Sequence, residues 1–280
     1  MRITVLGFSG FIGRYLVRAL RERGDDVVEA SLRDPVSAAR ACDGVDAVVN
    51  LAGAPVAQRW TDAAKALIRT SRIDAPRALI DGLAALRQPP HIYVSSSAVG
   101  YYGTSETKTF VESDPAGSDF LASVCVGWES EAMRATLFGM RVALVRTGVV
   151  LGTDGGALGK LLPIFRLGLG GTVATGRQWY SWIHIDDLIG IYLLAIDRGD
   201  GAYNGTAPKP ERNADFTRAL GSALKRPTFA PVPAFALTLM LGEGSSMLTD
   251  GQRVIPERTV AAGYTFRYAS LNDALAQLTA

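Results

Sequence analysis

Seven residues near the start of the chain, Gly7-Phe8-Ser9-Gly10-Phe11-Ile12-Gly13, are spaced to hold an anion against bare backbone. Gly7 permits a tight turn, Gly10 lets the backbone approach a phosphate, and Gly13 lets a helix pack close to a strand. The N–H groups of such a turn, with the positive end of the helix that follows, then face the charge. The chemistry is the binding of a pyrophosphate, and the ligand it implies is a dinucleotide. Glycine triplets occur in many turns, so context decides. Here the apolar run 2–6 precedes the loop and an amphipathic run, 14–23, closed by Gly24, follows it. Strand, glycine turn and helix stand in the order that the chemistry needs.

The elements that position this loop read as strand and helix in alternation up to about residue 150. Strands are expected at 27–31, 46–50, 91–95 and 141–146, and helices at 36–42 and 118–138. Thr61 is placed to cap a helix from Asp62, and Pro76 starts or kinks a second segment running to Leu86. Apolar strands separated by helices imply a parallel sheet covered on both faces. The expected fold is α/β, a Rossmann-type doubly wound parallel sheet with a small C-terminal substrate-binding cap. After Gly148 the pattern loosens into glycine-rich loops and prolines. The expected division is therefore a dinucleotide-binding domain over 1–150, with 182–198 returning to it, and a cap over 151–181 and 199–280.

Composition narrows the class. A 48% hydrophobic share in 280 residues is ample for a buried core. A formal charge of +2 is too small to imply nucleic acid or an acidic membrane surface as partner. Cys42 and Cys125 are far apart in sequence and make no disulfide framework, which points to a reducing cytoplasm. No metal is expected. Residues 2–6 already belong to a strand, so no signal peptide is expected, and the longest apolar stretch, 235–241, is too short to cross a bilayer.

Further motifs follow the glycine loop in order: Asn50-Leu51-Ala52-Gly53, the serines Ser95-Ser96-Ser97 followed by Gly100-Tyr101-Tyr102-Gly103, Arg146-Thr147-Gly148, and Trp182-Ile183-His184-Ile185-Asp186-Asp187. In these the chain resembles the extended short-chain dehydrogenases/reductases, which include the nucleotide-sugar epimerases and dehydratases. More narrowly it is similar to an epimerase-like subgroup of NAD(P)-binding proteins. The marks of that subgroup run from end to end: Arg59-Trp60, Ser71-Arg72, Trp128-Glu129, Gly168-Leu169-Gly170-Gly171, Ala207-Pro208, Leu241-Gly242-Glu243 and Gly251-Gln252-Arg253-Val254. The resemblance implies that Gly7, Ser9, Gly10, Phe11, Ile12, Gly13, Leu51, Ala52 and Gly53 bind the cofactor. It also implies a small-molecule substrate and leaves a homodimer open.

One departure outweighs the matches. The superfamily places a Tyr and a Lys four residues apart on a helix beside the nicotinamide, the Tyr as acid/base and the Lys lowering its pKa. The helix expected at 118–138 has neither, and Cys125 and Glu129 fall at the two positions. Beside a carboxylate the thiol pKa is expected to rise, and packing is the commoner use of such a cysteine. Glu129 is a candidate base or a holder of a ribose hydroxyl. Ser97 falls at the superfamily's catalytic Ser or Thr, with Ser96 as the near alternative. Tyr101 and Tyr102 follow closely, and Tyr102 is a candidate to replace the missing Tyr, against the commoner use of paired tyrosines in stacking. His184 is expected to anchor the cap, with Asp186 or Asp187 capping a helix.

Cofactor choice turns on the end of the second strand. NAD-preferring Rossmann proteins carry an acidic residue there, whereas this chain carries Ser31-Leu32-Arg33. A guanidinium matches a 2′-phosphate, so NADP(H) is expected over NAD(H), and Glu29 lies too early in the strand to interfere. Only about ten residues separate Arg33 from the strand that ends at Asn50, too few for the superfamily's usual further strand. The sheet is expected to lack it. For a substrate, Arg59, Trp60 and Arg177 are candidates, with Lys160 and Arg253 as further cap cations for a sugar diphosphate. The function these features imply is an NADP(H)-dependent oxidoreductase or epimerase acting on a carbinol or carbonyl carbon held near Ser97, with a sugar nucleotide as one candidate substrate. The alternative is a non-catalytic dinucleotide sensor.

Overall fold

Strand β1 (Arg2–Leu6) is buried from Ile3 onward, and it ends where Gly7 takes φ +80°, a conformation that side-chain-bearing residues rarely adopt. Helix α1 (Phe11–Glu22) then buries Leu16, Val17 and Leu20 along one stripe. In the computed structural model, which describes residues 1–280, the chain continues through β2 (Asp26–Ala30), α2 (Pro35–Arg40), β3 (Ala47–Asn50), α3 (Asp62–Arg72), α4 (Asp74–Ala84) and β4 (Ile92–Ala98). Short β5 (Thr109–Phe110) precedes α5 (Phe120–Met133) and β6 (Arg141–Thr147). Thr61 caps α3, its side chain accepting from the Ala64 N–H. Pro76 sits in the first turn of α4, where its missing N–H costs nothing.

Six strands form one parallel sheet in the order β10-β6-β4-β3-β1-β2, where β10 is Gly201–Gly205. Leu16, Leu20, Ile191 and Tyr192 share the core on one face, and Leu79, Ile80, Leu83 and Ala132 share the core on the other. The fold is a Rossmann-type parallel α/β sheet. From β1 the chain moves outward to β2 and then crosses back to β3 on the other side of β1. That reversal opens a crevice at the carboxyl ends of β1 and β3, the place where such sheets bind ligands.

The sheet ends at β2, without a further strand beyond it. Asp34 explains how the short connection works: its carboxylate accepts from the N–H groups of Val36 (3.1 Å) and Ser37 (3.2 Å) and starts α2 at once. Elsewhere the expected bounds shift. The helix expected at 118–138 begins after Asp119, which caps α5, and its last residues, Arg134–Phe138, tighten into a 3₁₀ turn before Gly139 at φ +79°. Strand β4 runs to Ala98, so Ser96 and Ser97 lie inside the strand rather than after it.

The remaining chain holds β7 (Val149–Gly152), α6 (Gly156–Arg166), β8 (Trp179–Tyr180), β9 (Trp182–His184), α7 (Ile185–Arg198), β11 (Glu211–Arg212), α8 (Asn213–Leu224) and α9 (Ala234–Leu241). After these come α10 (Ser246–Thr249), β12 (Arg253–Val254), α11 (Glu257–Ala261) and α12 (Leu271–Thr279). A third core of Phe165, Trp182, Phe216 and Leu275 gathers here. Two expectations need correction. Residues 201–205, assigned to the cap, pair with β6 as the edge of the main sheet. The cap of α7 is His184 itself, whose Nδ1 accepts from the Asp186 N–H at 3.1 Å. Asp187 instead accepts from the N–H groups of Arg267 (2.8 Å) and Tyr268 (2.9 Å), tying α7 to the C-terminal segment. No helix is long and apolar enough to cross a membrane.

Candidate cofactor groove and active-site cleft

At the crevice, the loops after β1 and β3 touch. A Cβ on Gly7 would stand 3.0 Å from the Ala52 nitrogen, and one on Gly13 would stand 2.2 Å from the Gly7 oxygen. Both glycines are therefore needed by the protein's own packing. Gly10 differs: its Cβ would meet only the Gly7 oxygen, at 3.2 Å, so the space it leaves faces outward. The N-terminus of α1 has no side-chain cap, which leaves its N–H groups for a ligand. Asn50 fixes the facing loop, its Oδ1 accepting from the Ala52 N–H at 3.0 Å. The groove so formed, of about 840 Å³, is lined by Gly7, Ser9, Ser31, Arg33, Ala52 and Gly53. Its shape and free donors fit a dinucleotide.

Ile12 and Leu51 line the adjoining cleft instead. Phe11 turns its ring under Gly152, Gly155 and Gly156, where a Cβ would lie 2.6, 2.4 and 2.8 Å from it, and so locks the helix start to the loop after β7. Ser31 and Arg33 sit at the open end of β2, with the Arg33 N–H bonded to Ser31 Oγ at 3.4 Å. No carboxylate pairs with the Arg33 guanidinium. Glu29 is drawn away by Arg21 at 2.8 Å, and Asp34 is occupied as a helix cap.

Beyond the groove lies a cleft of about 540 Å³ that includes Ser97 and Cys125. Successive side chains of β4 point to opposite faces. Ser96 therefore reaches Tyr192 on α7 (2.5 Å), while Ser97 donates to Glu129 Oε1 on α5 at 2.6 Å. Cys125, one turn before Glu129, lies beside the Ser97 hydroxyl and the Ala98 backbone. Burial, and then the Glu129 charge, push its thiol up to about 12. The thiol is thus a protonated group at neutral pH.

Glu129 is not free to act as a base. Arg146, next to Ser97 in the register of β6 on β4, grips it through Nε–Oε1 and Nη2–Oε2, both 2.8 Å. Burial works against the Arg146 charge, but the carboxylate outweighs it and holds the guanidinium above the ordinary arginine value. Tyr102 is withdrawn as well. Its hydroxyl donates to Asn204 Oδ1 (2.7 Å) and accepts from Arg146 Nη1 (2.9 Å), and burial pushes it up to about 12. The Arg146 guanidinium stacks 3.5 Å over the Tyr101 ring. Tyr102 and Glu129 thus form a buried polar cluster behind the cleft, and Ser97 and Cys125 are what that cluster presents.

Of the substrate candidates, Trp60 lines the cleft, edge-on to Phe120 at 5.0 Å. Arg59 is spent on the Leu239 carbonyl of α9, and Arg177 on Glu106 at the surface (3.0 Å). Arg253 lies over the Trp179 ring, and Lys160 is exposed on α6. The cation that does line the cleft is Arg72. The sequence alone marks neither Arg72 nor Arg146 as a site residue. The available signal was a charge at the end of an apolar strand for Arg146, and membership of a short motif for Arg72.

With this geometry established, comparison with known proteins gives consistent matches. Residues 3–206 match the profile described as "NAD dependent epimerase/dehydratase family", and residues 232–278 match "Domain of unknown function (DUF1731)". The chain is 41% identical to the chloroplastic epimerase family protein SDR39U1 homolog of Arabidopsis thaliana, over 98% of this chain and 86% of that one. It is 37% identical to the Homo sapiens epimerase family protein SDR39U1 over the whole of both chains. A crystal structure of human SDR39U1 (isoform 2) with NADPH superposes with a TM-score of 0.93 at 35% identity, covering 100% of this chain and 99% of that one.

Proposed function

The chain belongs to the NAD dependent epimerase/dehydratase family, and from that premise we propose that it is an NADP(H)-dependent oxidoreductase that reduces a carbonyl carbon held beside Ser97. The observation that carries this reading is the placement of the Cys125 thiol beside Ser97 on the wall of the cleft, where burial raises its pKa. The dinucleotide, when bound, supplies the hydride. Gly7, Gly10 and Gly13 would shape its phosphate cradle, and Arg33 with Ser31 would meet a 2′-phosphate.

The rest belongs to the side chains. Ser97 donates its hydroxyl hydrogen bond to Glu129, so its oxygen keeps lone pairs toward the cleft and positions its neighbours. Cys125 then delivers a proton to the reacting oxygen as its C–O double bond becomes single, and the thiolate left behind recovers a proton from water. Held protonated, the thiol has a proton to give, and the alkoxide that forms on the reacting carbon is the stronger base. Epimerisation would start by removing a carbinol proton, and beside Ser97 the one carboxylate is closed off by Arg146. That closure also supports a second reading, a dinucleotide sensor that performs no turnover.

Deuterium decides between them. The protein is incubated with C4-deuterated NADPH and small-molecule extracts, and products are read by mass spectrometry. Transfer of label by the wild type and not by Ser97→Ala supports the reductase. Tight NADPH binding with no label transferred to any compound supports the sensor.

A further inference from the structure

Arg72 closes α3 against the cleft with an unusual lack of partners. Its Nη1 donates to the Ala54 carbonyl at 2.9 Å, and no carboxylate lies within ion-pair distance of it. The guanidinium is held in place on both sides. A Cβ on Gly53 would stand 2.9 Å from Cζ, and the Trp128 ring lies 5.0 Å from Cζ on another side. Burial lowers its pKa from the ordinary arginine value, as expected of a charge without a counter-ion. A partly buried cation in this condition is costly unless a ligand completes it.

Two further wall residues are incomplete. Trp128 Nε1 and Gln178 Oε1 are buried without a hydrogen-bond partner, in side chains only 5% and 4% exposed, and both residues line the cleft. Most of the remaining wall is apolar, with Trp60, Ile68, Phe120, Val124, Trp179 and Leu248. A volume of about 540 Å³ suits a small ligand. A sugar diphosphate calls for several cations, and Arg59, Arg177 and Arg253 are engaged elsewhere.

We propose that the cleft admits a small, flat, largely apolar carbonyl compound carrying one carboxylate or phosphate group, and that Arg72 is the counter-ion that anchors it. This rests on reading the cleft as the place where substrate meets the dinucleotide.

The test is calorimetric and uses the protein saturated with NADPH. 2-Naphthoate and 2-naphthamide, which share a shape and differ in charge, are titrated into wild type, Arg72→Gln and Arg72→Lys. The expected result is that wild type binds naphthoate about ten- to a hundredfold more tightly than naphthamide, the size of a charge-assisted bond. Arg72→Gln removes the difference and Arg72→Lys keeps part of it, with NADPH affinity unchanged. Equal binding of the two probes by wild type, no binding of naphthoate, or a preference that survives Arg72→Gln overturns the proposal. A loss of NADPH affinity in Arg72→Gln as large as the loss for naphthoate also overturns it, because the guanidinium would then serve the dinucleotide's own phosphates. Failure of label transfer with naphthoate selectivity intact counts against the reductase and leaves the anchor standing.

Discussion

Arg146 and Glu129 meet through two parallel bonds of 2.8 Å, and the same carboxylate takes the Ser97 hydroxyl at 2.6 Å. One buried ion pair thereby fixes the serine that faces the cleft. Glu129 falls where the resemblance sets the superfamily's lysine, and Arg146 on β6 neutralises its charge.

Removing one partner strands the other. Glu129→Ala leaves Arg146 buried without a counter-charge and is expected to cost about 3–5 kcal/mol of stability, the range for breaking a buried pair. Glu129→Gln keeps an acceptor and should cost less. Urea unfolding checks both, and a loss for Glu129→Ala within experimental error of zero would refute the role given to the pair.

The acid limb of stability is expected to follow His184. Its ring is buried, with Nε2 2.9 Å from Gln277 Oε1 and Nδ1 accepting from the Asp186 N–H. That arrangement requires the neutral ring with its proton on Nε2. Burial lowers the folded pKa below the ordinary value of 6.5. The unfolded chain therefore binds the proton first as pH falls. The contribution is fully present above about pH 6.5 and is lost below it, by up to about 1.4 kcal/mol per unit until the folded pKa is reached. His184→Asn retains a capping acceptor and cannot titrate, so its melting temperature should fall less between neutral and mildly acidic buffer.

The local pattern carried the frame of the molecule. The glycine loop, the Thr61 cap and the short path from Arg33 to Asn50 are nearest-neighbour features, and each is visible as a string of residue types. The chemistry behind Ser97 is different in kind. Glu129 meets Arg146 only because α5 packs over β4 and β6, and Tyr102, which follows β4, is drawn to Asn204 on β10, a strand a hundred residues later in the chain and two places away in the sheet. A sequence window shows a carboxylate and a phenol near a serine, and it does not show which cation claims them. Arg72 was hidden for the converse reason, since what marks it is the lack of a partner in three dimensions.

Gly10→Val should abolish dinucleotide binding while leaving the fold intact. Gly10 has φ −72° and ψ 170°, which valine adopts readily, and its Cβ would meet only the Gly7 oxygen at 3.2 Å. The branched side chain then fills the approach to the α1 N-terminus. NADPH fluorescence titration and circular dichroism check the two halves, and equal affinity for NADPH would remove this loop from the site.

Arg33→Asp should reverse the cofactor preference. The guanidinium at the groove's edge has no carboxylate partner, so its bonds are available to a 2′-phosphate. An aspartate there repels that phosphate and accepts from a free ribose hydroxyl. NADPH affinity should fall roughly ten- to hundredfold, corresponding to about 1.5–3 kcal/mol, and NADH affinity should rise. Wild-type protein that binds NADH as tightly as NADPH would contradict the assignment.

Cys125 and Ser97 should separate from cofactor binding in kinetics. If the thiol supplies the proton, Cys125→Ala is expected to lower turnover by roughly 10²–10⁴, the usual worth of a positioned acid, with NADPH affinity unchanged. Ser97→Ala should cost a similar factor by releasing the geometry that Glu129 imposes. The pH profile distinguishes the thiol from a carboxylate. A group with its pKa near 12 stays protonated through the neutral and mildly alkaline range, so turnover should be flat there and fall only as pH climbs toward that value. A carboxylic acid in the same role would lose activity as pH rises through the acid range. If Cys125→Ala retains full turnover, or the profile falls in acid rather than alkali, the proton comes from another group and the thiol is packing alone.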